Sequence, residues 1–555
     1  NITLSYDQCT FGIGRLCSVI DVSGHTVFDY DAYGNTIQVT EIREGISYAQ
    51  HYQYDGSHRL SNMTLPSGRV VNYSRDSLQR IQSITTDINS VSQSIIDNID
   101  YNAANQIIQQ HYGNGLIENR SYDLQSRLLQ QTLNNVDQTG LSYDANSNVL
   151  IRNTATDNHS YAYDVLDRLV EEINNGTASD YQYDANDNRT RQTQNTQSIL
   201  YDYIPDSNQL ELITTDTTTL SLLYDAAGNL TQDAQGREYR YNNAGRLKEI
   251  INNGQLLASY LYNVNGQRTH KIIPTKTTLY HYDLTGQLSS EMLSDGTPIR
   301  DYLWQGNTPI AQIDYQSGTQ TLSYLHTDHL NTPRLSTGSN QSIVWRWEGD
   351  AFGQAQPQGL GATINFRFPG QYYDLETGLY YNYYRYYDPS TGRYITSDPI
   401  GLDGGLNTYG YVGGNPLRYI DPTGEAAAAA GLCFIPGVGM VSCASAGAAT
   451  GAVFCAIYPR QCAKAAADIC SNISDSFNNF FGPYFNKASD SGKNEKHGDG
   501  GRASSKADQQ IKELEEKLKY ATGRERKQIL QKIKNIRETA RRKAKGEEHS
   551  RGPKR

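Results

Sequence analysis

Methionine and tryptophan are nearly missing from this chain, with three of each among 555 residues. Charged side chains are also sparse, at 19%. Strong helix formers are thin before residue 425, which argues against a helical bundle for most of the chain. No two cysteines stand in a C-x-x-C spacing, which speaks against a zinc site. Cys9 and Cys17 lie near the start, and Cys433, Cys443, Cys455, Cys462 and Cys470 fall within one segment. Five is odd, so disulfides formed there in an oxidising compartment would leave at least one thiol over. Residues Asn1 to Cys17 contain neither the basic start nor the apolar run of a signal peptide. The chain opens without an initiator Met, inside a repeat-like phrase (LSYDQCTFGIGRLCSV). It is expected to be part of a longer protein whose export module lies upstream.

Tyrosine is what the chain has in abundance: 42 residues. The mean hydropathy is negative, yet an aromatic share of 10% is too high for disorder. Tyrosine fits pleated, half-buried surfaces, so a mainly β fold is expected. The net charge of −10 hides an asymmetry. Residues 491–555 hold 20 of the 49 basic and 10 of the 59 acidic side chains, a net of +10; residues 1–490 keep 29 and 49, a net of −20. An acidic body repels nucleic acid and a basic tail attracts it, so the two are read as separate functional objects.

One phrase recurs from the start, Tyr-Asp-x-x-x-(Gly/Asn/Arg)-(Asn/Arg/Leu). It appears as Tyr30-Asp31, Tyr54-Asp55, Tyr122-Asp123, Tyr143-Asp144, Tyr163-Asp164, Tyr183-Asp184, Tyr224-Asp225 and Tyr282-Asp283, with degenerate copies at Tyr101, Tyr203, Tyr241 and Tyr262. Between Tyr101 and Tyr282 successive tyrosines fall 17 to 21 residues apart, room for two strands and two turns. The tyrosine is expected to close a strand, its ring on apolar surface and its hydroxyl seeking a partner. The aspartate opens a turn by accepting from the backbone N–H two residues on, and Gly or Asn supplies the left-handed position. An alternating run such as Arg168 to Ile173 then forms the next strand. These pairs read as scaffold, stacking into one continuous sheet. From Tyr302 to Gly370 the period weakens. His326, Asp328 and His329 there read as a polar turn before Asn331-Thr332-Pro333 rather than as a metal cluster.

The chain's boundary lies at Tyr372 to Gly424, a tyrosine-dense stretch with two D-P-x-G tetrapeptides, Asp398–Gly401 and Asp421–Gly424. Each is a turn by its own chemistry: Pro fixes φ at the second position and Gly tolerates positive φ at the fourth. Two such turns can be purely structural. They can also bring two carboxylates together, one acting as base on water while the other polarises a scissile carbonyl. Asp398 and Asp421 meet if the hairpin between them folds back.

The run GLYYNYYRYYDPSTGRYITSDPIGLDGGLNTYGYVGGNPLRYIDPTG, residues 378–424, resembles the core that closes the shell of Rhs and YD-repeat proteins. That family includes bacterial polymorphic toxins, the teneurins and the C subunits of insecticidal toxin complexes. TDHLNTPRLST and VWRWEGDAFG upstream are similar to phrases that precede this core. The resemblance implies a β-strip wound into a hollow shell, with the core region at one end and a variable toxin inside. It implies that Asp398 and Asp421 form an aspartyl-protease-like pair cutting behind the second motif, with Arg393 a further candidate for substrate orientation. Two features depart from the family pattern: nineteen residues separate the motifs, and Glu425 stands where Leu is common. The bond cut is therefore either the one after Gly424 or the one after Glu425.

Behind Gly424 the composition breaks. No charged residue stands between Glu425 and Arg460. Such a run suits packing inside the shell, transient membrane contact during translocation (residues 426–458), or a transmembrane anchor, although Pro436, Gly437 and Gly439 break any first helix. Residues 472–500 read as a polar linker holding Phe477, Phe480, Phe481 and Phe485. Apolar stripes at Ile511, Leu514 and Leu518 and at Ile529, Ile533, Ile536 and Ala540, parted by Thr522-Gly523, predict a basic helical hairpin. His497, Asp499 and Arg502 precede it and His549 and Arg551 follow it, at the same end of the hairpin. They supply the base, acid and cations that phosphodiester cleavage needs. The bland alternative is that these are solvated basic ends.

The expected organisation is repeats over 1–325, core over 326–424, a hydrophobic pretoxin segment over 425–471, a linker over 472–506 and the hairpin over 507–555, with the toxin domain at about 472–555. The function expected is a self-cleaving toxin with a small basic nuclease acting on RNA or DNA of a rival or host cell. A pore-former using residues 431–458 and a non-toxic surface adhesion protein are the alternatives. No cofactor is implied, with a divalent metal an open option for the effector. Expected partners are an immunity protein, secretion machinery acting through the upstream module, nucleic acid for the tail, and membrane for residues 426–458. The protein is expected to be secreted or displayed at the cell surface.

Overall fold

The computed structural model describes residues 2–425, residue 427, the backbone of 428–429, 432–435 and 439–442, and residue 532. Within the first of these spans the chain is a succession of short antiparallel strands, each paired with the next inside its own sheet. The first 21, from Thr3–Tyr6 to Thr219–Ser221, make one sheet; the following 14, from Leu223–Tyr224 to Gln358–Gly359, make a second. Within residues 2–425 helical structure is limited to two 3-10 turns, Gly401–Gly404 and Val412–Gly414.

Each repeat owes its shape to two side chains. The tyrosine closes a strand and donates its hydroxyl to the carbonyl that opens an earlier one: Tyr122 to Ile107, Tyr143 to Leu128, Tyr163 to Val149 and Tyr282 to Arg268, at 2.7–2.9 Å. Where tyrosine is replaced, the bond survives. Arg75 Nη2 donates to Leu60 O and Trp304 Nε1 to Leu288 O. The aspartate accepts through Oδ1 from the backbone N–H groups two and four residues on, as Asp164 does from Leu166 and Arg168. Its Oδ2 takes the side chain at the fourth position, Asn148 for Asp144 and Arg168 for Asp164. The left-handed residue is the third after the aspartate, and here the expectation of Gly or Asn needs correcting. Ser126, Ser147, Asp167 and Asp187 hold φ between 63° and 72° in that position. The carboxylate's bonds on either side stabilise a conformation that these residues otherwise avoid.

A register slip accompanies each tyrosine, between Ser142 and Tyr143, Ala162 and Tyr163, and His281 and Tyr282, for example. A bulge increases local twist, and one recurring at the same place in every period turns the strip steadily in one direction. Segments far apart in sequence consequently meet. Arg69 pairs with Asp301 at 2.9 Å, both side chains buried, and Gln50 Nε2 donates to Tyr282 O. Val71, Ile84, Ile95 and Ile96 share one apolar cluster with Leu303, Ile310, Ile313 and Leu335.

The repeat weakens later than expected, beyond Arg346, where a two-residue strand at Gln358–Gly359 is the last before Tyr372. Strands continue through Thr308–Gln316, Thr319–Thr327, Pro333–Thr337 and Ile343–Arg346. Asp328 opens a standard repeat turn, accepting from Leu330 and Thr332 N–H with Asn331 left-handed, so Thr327-Asp328 stands where Tyr-Asp stands elsewhere. His326 Nε2 meets Thr337 Oγ1 and His329 Nε2 meets Leu417 O. No group of three His, Cys, Asp or Glu among the described residues is placed to hold a metal. Cys9 and Cys17 form a disulfide, with Cα atoms 5.6 Å apart.

Residues 372–394 form a separate four-stranded sheet of two- to four-residue strands. Its tyrosines, with Trp345, Trp347, Phe366 and Phe368, pack into one cluster with Tyr239, Tyr260, Tyr280 and Tyr302 of the long strip. Charge fixes the docking: Arg268, fully buried, pairs with Asp374, and Lys271 joins it at 3.0 Å. The guanidinium lies 4.3 Å from the Tyr381 ring centroid and 4.9 Å from that of Tyr280. A buried charge is tolerated when it is paired and faced by π-systems.

The linker, the hairpin stripes, His497, Asp499, Arg502, His549 and Arg551 lie outside the described residues, as does nearly all of 431–458. Within that last span, Leu432–Ile435 pairs with Gly439–Ser442 as two antiparallel strands. No described helix is long and apolar enough to cross a membrane.

Removing one rung of the tyrosine ladder tests the repeat. Tyr143→Phe keeps the ring and leaves the Leu128 carbonyl without its donor. A loss of about 1 kcal/mol is expected, read as a lower midpoint in denaturant titration of the full chain.

Candidate active site

The two D-P-x-G turns fold as their residues dictate. Gly401 and Gly424 hold φ of 61° and 74°, and each aspartate caps its own turn. Asp398 Oδ1 accepts from Ile400 N–H at 3.0 Å, while Asp421 Oδ1 accepts from Gly424 N–H at 2.8 Å and from Glu425 N–H at 3.1 Å. The second carboxylate therefore grips the amides on both sides of Gly424. A side chain at Gly424 would meet Asn382 O at 2.5 Å, so this residue sits where only glycine fits.

The segment between the motifs is not the hairpin expected. It runs through the two 3-10 turns and returns along the short strand Arg393–Tyr394, with Tyr394 N–H donating to Tyr409 O and a bridge between Arg393 and Gly410. The two carboxylates are brought together instead by Arg385, which the sequence reading did not single out. Arg385 Nη2 lies 2.8 Å from Asp398 Oδ2 and 3.3 Å from Asp421 Oδ2. Its Nε donates to the Gly424 carbonyl and its Nη1 to Thr408 O. The guanidinium stacks 3.6 Å over the ring of Tyr394, whose hydroxyl donates to Asp421 Oδ2 at 2.7 Å. Asn382 Nδ2 donates to Asp421 O.

Arg393 is elsewhere. It donates to Asn208 O between the rings of Tyr203 and Tyr409, and has no hydrogen bond or ion pair with either aspartate. Both arginines belong to the same small sheet, eight residues apart, and nothing in the Tyr-rich sequence ranks one above the other. A turn-opening aspartate with a cation near its Oδ2 is the one signal that was available, and it does not name the cation.

Burial pushes the Asp398 carboxyl up to about 6, with the charge of Asp421 adding to the rise and Arg385 opposing it. Glu425 is pushed up to about 7, by burial first and by the charge of Asp398 second. Gly404 closes the site from the other side. A methyl group there would collide with Asp398 Oδ2 and stand 2.7 Å from Glu425 O. A cavity lined by Arg385, Tyr411, Gly404, Asp421 and Glu425 reaches the second carboxylate and the guanidinium. Chemically, the arrangement offers a carboxyl of raised pKa, a second carboxylate holding the amides, and a guanidinium on the carbonyl between them.

Residues 138–408 match the teneurin YD-shell family model. The chain is 40% identical over 120 residues to toxin protein Tse5 of Pseudomonas aeruginosa, covering 22% of this chain and 9% of that protein. It is 29% identical over 313 residues to the probable deoxyribonuclease RhsA of Dickeya dadantii, covering 49% and 21%. It thus spans only a small part of these curated relatives. The crystal structure of TcdB2-TccC3-TEV shares the fold, with a TM-score of 0.60 at 18% identity over 76% of this chain and 25% of that one.

Arg385→Ala leaves two buried carboxyls without their cation. A loss of about 3 kcal/mol is expected near pH 8. It should shrink toward pH 5, because Asp398 takes up a proton more readily once the guanidinium is gone. Melting temperatures of parent and variant across that range measure the effect.

Proposed function

We propose that this chain, an Rhs/YD-repeat shell protein, is a toxin that cuts itself between Gly424 and Glu425 and so frees its C-terminal part as the effector. The observation that carries this reading is the position of Arg385, shared by Asp398 and Asp421 and bonded to the Gly424 carbonyl. Asp398, ionised, takes a proton from water as the oxygen adds to the Gly424 carbonyl carbon. The electron pair moves to the carbonyl oxygen, where the Arg385 Nε–H stabilises the developing charge. Asp421 keeps the Gly424 and Glu425 amides in line. The intermediate then collapses, the C–N bond breaks, and Asp398 returns its proton to the Glu425 nitrogen. A carboxylate at Gly424 and a free amine at Glu425 remain.

A nuclease is the effector we favour, acting through His497, Asp499, Arg502, His549 and Arg551. Support comes from the net charge of +10 over residues 491–555, which suits a phosphate backbone, and from relatives named as nucleases. The organisation proposed is repeats over 1–325, core over 326–424, a hydrophobic segment over 425–471 and an effector from about 472. Such a toxin would be secreted or surface-displayed, delivered into a rival or host cell, and matched in the producer by an immunity protein.

Three measurements test this. The parent chain should yield a fragment ending at Gly424 by mass spectrometry, while Asp398→Asn and Asp421→Asn stay at 61.9 kDa; a parent that stays whole, or variants that are cut, would sink the self-cleavage. When uncleaved chain is refolded at set pH, the cleavage rate should climb through about pH 6 and level off above it, because Asp398 must be ionised to act as base. Expression of the full chain in bacteria should arrest growth with degraded nucleic acid, and His497→Ala with His549→Ala should abolish both. Arrest with intact nucleic acid would move the effector role to residues 431–458.

A further inference from the structure

The first long sheet meets the second at a joint built from titratable groups. Thr36–Arg43 and Ile46–Tyr54 belong to the first sheet, Arg268–Ile273, Lys276–Tyr282 and Leu288–Leu293 to the second. The apolar contact between them is one small cluster, with Tyr48, Leu279 and Met292 buried together beside Ile46. Neutral hydrogen bonds add to it, from Gln50 Nε2 to Tyr282 O at 3.0 Å and from Ser289 Oγ to Gln50 Oε1 at 3.4 Å. The charged part crosses from one sheet to the other. Glu41 is bonded at once to Arg43 and to His281 Nδ1, and all three are buried. His270, also buried, meets Thr269 Oγ1 through Nδ1 at 2.9 Å and lies 3.5 Å from Glu44 through Nε2.

The count of charges makes this joint sensitive to acid. A carboxylate against Nδ1 keeps the proton of neutral His281 on that nitrogen and leaves Nε2 bare. Nε2 is buried without a partner, as are Nε and Nη1 of Arg43 and the hydroxyl of Tyr48, whose ring lies 4.6 Å from that of His281. A second proton on His281 would place an N–H where nothing accepts it, beside a guanidinium that already uses Glu41. Charging His270 as well would set three cations against Glu41 and the half-exposed Glu44. Asp301, the other carboxylate acting on His281, is paired with Arg69. Burial, then Arg43 and His281, push His270 down to about 4 against the pull of Glu41, and burial lowers His281 in spite of Glu41. Burial also works against the Glu41 charge, but Arg43 and then His281 outweigh it and hold that carboxyl down to about 2. The histidines are therefore the groups that titrate here in mild acid.

We propose that this joint is an acid-operated latch: His270 and His281 stay neutral while the two sheets are joined, and their protonation parts the sheets there. A histidine in the opened joint takes its proton near the ordinary 6.5, above its value in the closed joint, so opening binds protons and is favoured as pH falls. For His270 alone, the open form gains about thirtyfold between pH 7.5 and pH 5.0. Neutral surroundings keep the sheets joined, and an acidified compartment frees them.

Amide hydrogen exchange of the full chain at pH 7.5 and 5.0, corrected for the intrinsic effect of pH on exchange, tests the latch. Protection over residues 38–52 and 268–282 should fall about thirtyfold or more at pH 5.0. Strands over 189–214, which hold no histidine, should change less than about threefold; an equal loss there would mean general unfolding and sink the proposal. His270→Gln combined with His281→Gln should keep protection of the joint within about threefold between the two pH values. Arg43→Gln should weaken the joint at pH 7.5 yet blunt its acid response, because a protonated His281 then has Glu41 to itself. If the double variant does not fold, His270→Gln and Arg43→Gln decide, since each must lose less protection in acid than the parent. Acid losses in the variants equal to that of the parent would overturn the latch and move the response to other buried histidines such as His326. A parent whose protection is the same at both pH values would overturn it too.

Discussion

The structure depends on the side-chain oxygen, of aspartate in most copies and of asparagine in others, that opens the repeat turns. By holding two backbone N–H groups and one side chain, it fixes a four-residue loop whose third member is left-handed even when that member is Ser or Asp. The tyrosine ahead of it pins the strand end to an earlier carbonyl, and the bulge at that point adds twist. Each device acts within about twenty residues. Repetition makes it long-range: the same small rotation accumulates until strands more than two hundred residues apart share a core.

Such a strip buries charge in quantity, and the buried charges mark where separate pieces join. Arg69 with Asp301 fastens one turn of the strip to another, and Arg268 with Asp374 fastens the strip to the small sheet. Removing one partner of a buried pair costs more than the pair itself contributes, so these contacts specify how the pieces dock more than they add stability. Arg385 belongs to the same class but holds two carboxylates and a backbone carbonyl at once. Burial of Asp398, which Arg385 opposes only in part, suits this carboxyl to moving protons near neutral pH.

The site also reuses the repeat's own grammar. Both D-P-x-G motifs are aspartate-opened turns like the others, with the carboxylate gripping amides ahead of it. At Asp421 the amides gripped are those flanking Gly424, so a structural cap becomes a handle on a particular peptide bond.

The amino-acid sequence by itself determined the β class, the period and the turn-opening role of the aspartates, because all of these are local: a Tyr-Asp pair or a D-P-x-G acts on residues within one turn of itself. Copies with Arg75, Trp304 or Thr327-Asp328 escaped that reading, since there the hydrogen bond persists while the letters change. Tertiary structure alone decided which arginine serves the aspartates. Arg385 and Arg393 lie in neighbouring strands of one sheet, and only the return path of residues 395–420 along Arg393–Tyr394 delivers Asp398 and Asp421 to the first and Asn208 to the second. Contacts between residues 23 apart are set by how the intervening chain packs on the strip, and local sequence carries no term for that.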